Sequence, residues 1–307
     1  MDIPSIETFL IVARKQSFSQ AADSLYLTQP AVSKRIAALE SELNCQLFDR
    51  IKKKTILTEA GRIFLPRAQQ IVAQLKESKN ELAEIGGIIS GELVMATSHH
   101  IGLHYLPPVL KQYVNEYPQV DLNLDFMESE SACLAVENAE IELAVITLPN
   151  EPAECLKLVK IWSDPLKITM QNDHPLIQHA YTVSGKKIFS IDDVQKLIQY
   201  PAILSDKGTY TRVIVDEFLA GFNLQLQEKL SNNFLETIKM MVSVGLGWSL
   251  LPQTLIDETL TQIEIPGFGA ERNLGIATHK SRTLSQAAQK MVNLLTSSQK
   301  NKKPPNK

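Results

Sequence analysis

Gln29, Ser33, Lys34 and Arg35 crowd into the stretch "TQPAVSKR", which follows directly on the helix-like "QAADSLYL". The chemistry these types offer is recognition of nucleic acid. An amide such as Gln29 can pair bidentately with adenine, and a guanidinium such as Arg35 can reach guanine or a phosphate. Ser33 is small enough to permit close approach. Thr28 is a favourable N-cap, and Pro30 falls in a first helical turn, where its missing N–H costs nothing. Polar side chains therefore gather at a helix start, where unpaired N–H groups also face a phosphate backbone. Ser17 and Ser19, ahead of the preceding helix, join the same candidate surface. Arg50, Lys52, Lys53 and Lys54 lie in "LFDRIKKKTILT", where they would hold flanking phosphates without reading sequence.

A second cluster, Thr97-Ser98-His99-His100, closes the strand-like "ELVMATS". Hydroxyls and N–H groups at a strand end before a helix can cradle an anion or a carboxylate, and a histidine in a cleft could read the charge of an anionic effector. His100 and His104 stand four apart, a spacing that can bind metal on a helix. No Cys or carboxylate in the local sequence completes that set, so neither a metal nor a cofactor is expected. No G-x-S-x-G elbow, Walker loop or G-x-G-x-x-G helix opening is present, and "GLG" at 245–247 comes too late for a dinucleotide fold, so no enzyme activity is expected.

The elements that must position these residues fall into three regions. In residues 1–58, Ile6, Phe9, Leu10 and Ala13 follow helical spacing. Ser19 precedes a second helix with Ala21, Ala22 and Leu25 on one face, and Val32, Ile36, Leu39 and Leu43 line a third. Two short extended pieces around a basic turn follow, which is the plan of a winged helix-turn-helix. Residues 59–89 read as one long helix kinked by Pro66. Its Phe64, Ala68, Ile71, Leu75, Leu82 and Ile85 recur in steps of four and three, broken by Ser78, as a pairing seam between two chains; packing on the chain's own domains is the rival reading. "GGIISG" at 86–91 ends that helix as a hinge. From residue 90 to 298, strand-helix alternation predicts parallel sheet in two α/β subdomains, one of about 91–163 with 268–298 and the other of about 164–267, with a cleft at strand C-termini. The tail 299–307 is polar and basic, and disorder is expected.

The composition is that of a globular chain of 307 residues, 44% hydrophobic and 21% charged, too long for one small core. The net charge of −3 gives no sign of nucleic-acid binding at whole-chain level. Between Thr28 and Thr58, however, Lys34, Arg35, Arg50 and Lys52–Lys54 outnumber Glu40, Glu42 and Asp49, a local basic footprint. Three scattered cysteines argue against a disulfide framework and for a reducing compartment. With no signal-peptide pattern and no apolar run of ~18 residues, the expectation is a cytoplasmic, nucleoid-associated protein without membrane contact.

The run "SFSQAADSLYLTQPAVSKRIAALESELNCQLFDR" followed by "ILTEAGRIFLPRAQQI" resembles the N-terminal domain and linker helix of LysR-type transcriptional regulators over roughly residues 1–90. With the whole pattern in register, a merely solvated helix face becomes the weaker reading of the polar cluster. "SGELVMATSHHIGLHYLPPVL" and "VSVGLGWSLLP" are similar, less specifically, to the family's effector domain. The resemblance implies a periplasmic-binding-protein-like fold holding a small effector between subdomains. It assigns to the cleft Thr97, Ser98, His99, His100, Met127, Glu128, Ser129, Thr147, Ser205 and Thr209. It also implies a dimer or tetramer on an imperfectly palindromic duplex, since each protomer reads one half-site. Two other classes stay open: a small-molecule binding protein whose head only mediates assembly, and an α/β enzyme carrying a DNA-binding head.

Overall fold

The structure is a computed structural model and describes residues 1–51, 54–83, 89–222, 228–267 and 269–298. Lys52, Lys53, Ile85 and the tail 299–307 lie outside the described residues, as does most of "GGIISG"; so do the side chains of Arg50, Lys54 and Leu82. Contacts divide the chain into two compact units, Met1–Ile88 with Asn138–Glu140, and the remainder.

In the first unit, α1 (Ile3–Lys15), α2 (Phe18–Ser24) and α3 (Gln29–Leu43) precede a two-stranded antiparallel wing, β1 (Phe48–Ile51) and β2 (Lys54–Leu57), and the long α4 (Glu59–Ala83). Asp2 starts α1 by accepting from the Ser5 amide at 2.9 Å, which satisfies one of the orphan donors of the first turn. The cap of α2 is Ser17, which accepts from Gln20 N at 3.3 Å, whereas Ser19 lies inside the helix. Of the stripes that the spacing predicts, Ile6, Phe9, Ala21, Ala22, Val32, Ile36 and Leu39 are buried, Leu10, Ala13, Leu25 and Leu43 are half-buried at the edge of the same core, and Val12, outside the predicted stripe, is buried with them. The small Ala21–Ala22 face allows α2 to approach its neighbours closely. Phe9 is the keystone, its ring 5.3 Å from Phe48 of the wing and 5.1 Å from Phe64 of α4.

That contact modifies the reading of the α4 seam. Phe64 packs on the first unit's own core, Ala68 is wholly buried in it, and Ile71 joins them. The start of the stripe therefore closes the wing onto α1. The helix runs through Pro66 without interruption.

The wing is pinned by two hydrogen-bonded corners. Glu40 accepts from the amides of Leu47 at 2.7 Å and Phe48 at 3.2 Å. The Thr58 hydroxyl donates to Gln46 O at 2.7 Å and accepts from Gly61 N at 3.0 Å. Gly61 is required sterically, since a Cβ there would come within 2.2 Å of the Leu47 carbonyl oxygen.

In the second unit, one lobe is built from β3 (Gly91–Thr97), α5 (His99–His104), α6 (Pro107–Glu116), β4 (Val120–Phe126), α7 (Ser129–Glu137) and β5 (Leu143–Thr147). The strand β6 (Leu156–Gln171) then carries the chain into the other lobe. That lobe holds β7 (Tyr181–Val183), β8 (Lys186–Ile188), α8 (Ile191–Val194), β9 (Ala202–Leu204), α9 (Tyr210–Ala220), β10 (Glu228–Ser231), α10 (Leu235–Ser243), β11 (Ser249–Pro252) and β12 (Leu260–Glu264). Finally β13 (Ala270–His279) returns, and α11 (Gln286–Ser298) packs on the first lobe.

Only part of this sheet is parallel. β3 pairs parallel with β4 and β5, but β13 runs antiparallel to β5 and β6, and β11 and β12 antiparallel to β6. The expectation of parallel sheet fails there because the chain crosses between lobes twice, out on β6 and back on β13, and two opposed crossings can only pair antiparallel. The late "GLG" turn has a steric reason of its own. Gly245 adopts φ 82°, and a Cβ on Gly247 would lie 2.2 Å from Pro201 O, where the buried Trp248 joins β9. No helix of the described residues is long and apolar enough to cross a membrane.

Gly61→Ala tests the wing corner. It is expected to lower stability by about 1–3 kcal/mol, the typical cost of forcing atoms into a packed contact, as read by urea denaturation followed by far-UV circular dichroism. An unchanged midpoint would show that the Leu47 carbonyl moves aside freely.

Candidate functional site

Two places in the molecule gather polar side chains that the fold itself does not consume. The first is the start of α3. Thr28 occupies the N-cap but makes no side-chain cap bond, so its hydroxyl and the first-turn amides remain available. Thr28, Gln29, Pro30 and Lys34 are exposed, and Gln29 Nε2 donates to Ser33 Oγ at 2.9 Å, which presents both on one surface. Tyr26 stands beside them in the preceding turn, at φ 53° and 97% exposed. Arg35 is placed differently. Its guanidinium donates to Thr8 Oγ1 at 3.4 Å, and that hydroxyl in turn donates to Pro4 O at 2.6 Å. Arg35 is thus half-buried against α1 and ties the recognition helix to the body of the unit, so replacing it would disturb more than a surface.

The second place lies between the two lobes of the second unit, outside the carboxyl ends of β3 and β5. A cavity of about 340 Å³ is lined from one lobe by Ser98, His99, His100, Glu128 and Thr147, and from the other by Ser205, Thr209 and Asn233. That volume suits a small molecule. Ser98 is the N-cap of α5 and makes no cap bond. Ser129 is buried and accepts from Thr147 N at 3.2 Å. His99 packs edge-on to Phe126 and to Phe234, across the opening. Glu130 accepts from the Tyr210 amide of the opposite lobe. Burial raises the Glu128 carboxyl above its ordinary pKa, reinforced by Glu130 and Asp206 and opposed by His99.

Beneath the cavity the two crossing strands carry a buried ionic knot. Asp164 on β6 stands directly opposite Arg272 on β13. It accepts from that guanidinium, at 3.1 Å from Nε, and from Tyr105 Oη at 2.8 Å. Arg272 also donates to Thr211 Oγ1 at 3.2 Å. Neither ion is exposed to any extent that matters, at 0% and 2%, and Arg272 reaches the cavity wall. Burial holds the His100 imidazole below its ordinary pKa, with Arg272 adding to that effect and Glu236 and Asp164 opposing it.

The helix-turn-helix and the two-lobed unit match two profiles from one family. Residues 3–62 match the bacterial regulatory helix-turn-helix protein, lysR family, and residues 86–300 match the LysR substrate binding domain. The chain belongs to the LysR family of transcriptional regulators. Among its relatives, a probable RuBisCO transcriptional regulator of Cyanophora paradoxa is 30% identical over 289 residues, covering 90% of this chain and 86% of that one. Full-length OxyR from Pseudomonas aeruginosa has a similar fold, with a TM-score of 0.71 at 23% identity over 98% of this chain and 95% of that one. CbnR, solved in complex with its target DNA, gives 0.63 at 18% identity over 97% of this chain and 100% of that one. The relatives matched over most of the chain are transcriptional regulators by name.

Within this LysR-family regulator, the fold brings together all but one of the residues assigned to the cleft from the sequence. Ser98, His99, His100, Glu128, Ser129, Thr147, Ser205 and Thr209 all line one cavity, together with Met127. Thr97 is the exception: it is fully buried, and its hydroxyl donates to Val145 O at 2.8 Å inside the sheet. Thr209 is partly occupied as the cap of α9, accepting from Arg212 N at 3.2 Å. Sequence reasoning missed Asn233, Phe234 and Arg272, which arrive from distant segments with no local motif. It also missed Tyr26, whose exposure follows from a left-handed turn that its residue type does not announce.

Asp164→Ala leaves Arg272 buried without its partner. Such uncompensated charges typically cost about 3–5 kcal/mol, so a large drop in the urea midpoint of the second unit is expected. A loss below about 1 kcal/mol would mean that water or Thr211 replaces the carboxylate, and the knot would not be what holds the crossing strands.

Proposed function

We propose that this LysR-family regulator binds double-stranded DNA through the start of α3 and the basic wing, as a dimer or higher oligomer of itself on an imperfectly palindromic site, and works in the cytoplasm on the nucleoid. The observation that carries the reading is the uncommitted polar set at the start of α3: an unused Thr28 hydroxyl, exposed Gln29 and Lys34, and Ser33 hydrogen-bonded to Gln29. A recognition helix meets the major groove with its N-terminal residues, and that end is here polar and exposed, in the same unit as a wing of basic composition. Ser17, as the cap of α2, and Ser19 would meet the flanking backbone, as would Arg50 and Lys52–Lys54. Leu75, half-buried, with Leu82 and Ile85 further along the sequence, would form the pairing seam beyond the part of α4 that Phe64 and Ala68 spend on their own unit.

The effector is proposed to be a small molecule with an anionic group. Ser98, the first-turn amides of α5, Thr147 and Ser205 offer donors to such a group. Glu128 faces the same cavity, and its raised pKa favours a ligand that can share a proton there. A small hydroxy- or amino-carboxylate fits both walls. Bound between lobes, it would bias their closure and so the spacing of the DNA-binding heads across the dimer.

Equilibrium binding of the full chain to duplex across a salt series tests the first claim. Lys34→Ala should reduce the salt slope by about one phosphate contact, while Gln29→Ala should keep the slope and relax sequence preference. Identical slopes and preferences in all three proteins would remove α3 from the interface. For the second claim, a panel of small carboxylates should raise the melting temperature of the wild type but not of Ser98→Ala with Ser205→Ala. If cationic or neutral compounds alone stabilise it, the anionic reading falls.

A further inference from the structure

The histidine pair that lacks a third ligand in the local sequence acquires one in the fold. His100 and His104 project from the same face of α5, their ring centroids 4.7 Å apart. From the opposite lobe, α10 places the Glu236 carboxylate between them. Glu236 Oε1 lies 3.2 Å from His100 Nδ1 and 3.1 Å from His104 Nε2, and the three donor atoms all fall within 4.8 Å of one another. We propose that His100, His104 and Glu236 form a binding site for a borderline divalent cation, Zn²⁺ above all, that ties the two lobes together beside the effector cleft. The proposal stands on this cluster alone and does not depend on what the cleft binds.

A tetrahedral zinc ion with N and O ligands at about 2.0–2.1 Å keeps neighbouring ligand atoms roughly 3.3 Å apart. Glu236 Oε1 already stands at that distance from each nitrogen, and the two nitrogens, within 4.8 Å of each other, set the adjustment that binding would require. Two imidazoles and a carboxylate also form a donor set suited to zinc and its neighbours rather than to magnesium or calcium, which prefer oxygen alone. The remaining position would be open, because Glu236 and His104 are partly exposed while His100 is buried.

Hydrogen bonding without a metal leaves a debt at this point. Both rings converge on one oxygen, Oε1, while Glu236 Oε2 is buried with no hydrogen-bond partner among the described residues. A cation lodged between the three groups gives the carboxylate the counter-charge it lacks. The far side of His100 supports the same arrangement. With a metal on Nδ1, the Nε2 atom must carry the proton, and Nε2 faces the hydroxyl of Thr254 at 3.3 Å and the Asp164 carboxylate at 3.7 Å. A metal-bound histidine donating its other N–H to a carboxylate or hydroxyl is the usual supporting shell, and it fixes the tautomer. The ionic knot would thereby brace the ligand as well as the strands. Because His100 also lines the cavity, a cation here would act directly on how the lobes close around an effector.

The test uses the untagged full chain, freed of metal by dialysis against chelator, with Co²⁺ as a spectroscopic probe and Zn²⁺ as competitor. One Co²⁺ per chain is expected, giving the visible bands of low coordination and displaced by Zn²⁺. His104→Ala and Glu236→Gln should each weaken binding more than about a hundredfold, and Thr254→Val about tenfold, the lower end of the 10–100-fold typical of supporting groups. His179→Ala, outside the cluster, should change nothing. Zn²⁺ should raise the melting temperature of the wild type but not of His104→Ala or Glu236→Gln, whose folds are checked by circular dichroism. Two separate positions, one half-exposed and one isosteric, keep the test decisive if either variant folds poorly. The proposal is overturned if no Co²⁺ binds, if affinity is unchanged in both variants, or if His179→Ala loses the metal.

Discussion

Asp164 is a carboxylate with no exposed surface, placed where the chain crosses from one lobe to the other. A charge in that position is tolerated only when it is fully paired, and its pairing dictates much of what surrounds it. Arg272 must come from the returning strand β13, directly opposite on the ladder. Tyr105 must reach down from the end of α5 with its hydroxyl, and His100 is held alongside. Through these partners one buried ion sets the register of the two crossing strands, the position of α5 at the cleft and one charged wall of the cavity. Binding surface and scaffold are thus the same network, so a ligand that touches Arg272 or His100 acts on the crossing itself.

The first unit solves a similar problem with weaker means. A wing of two four-residue strands has little core of its own, and an isolated hairpin of that size is marginal in water. It is held by Glu40 at its leading edge, by the Thr58 corner at its trailing edge, and by Phe48 set among Phe9 and Phe18. These fastenings explain residue types that groove contact would not require. They also leave the start of α3 free of structural duties, apart from Arg35, which anchors it to α1.

The helical part of the protein was legible because helix stripes are local. Val32, Ile36 and Leu39 reveal a face by spacing alone, and all three are buried. Of the cleft residues, the loop at Ser98 was legible as a polar strand end before a helix, whereas Thr147 and Ser205 were placed there by the family resemblance. What escaped depended on distance along the chain. Glu236 lies 132 residues from His104, and Arg272 lies 108 from Asp164, so no window of sequence joins them. Hydroxyl accounting was also invisible: Thr97 and Ser98 look equivalent, yet one hydroxyl is consumed inside the sheet while the other faces the cavity. The antiparallel half of the sheet was missed because alternation of strand and helix reports connection order and not strand direction.

A LysR-family regulator with this arrangement separates its two tasks. On the reading proposed above, DNA is met by a helix start whose polar groups the fold leaves uncommitted, and an effector by a cleft whose floor is an ion pair. The central claim is that the first unit reads sequence, and the most direct measurement is selection of bound sites from a random duplex pool by the full-length protein. The account predicts enrichment of a sequence with two-fold symmetry whose half-sites lie about one helical turn apart or a multiple of it. Recovery of no sequence in preference to any other, even at low salt where phosphate contacts are strongest, would contradict it.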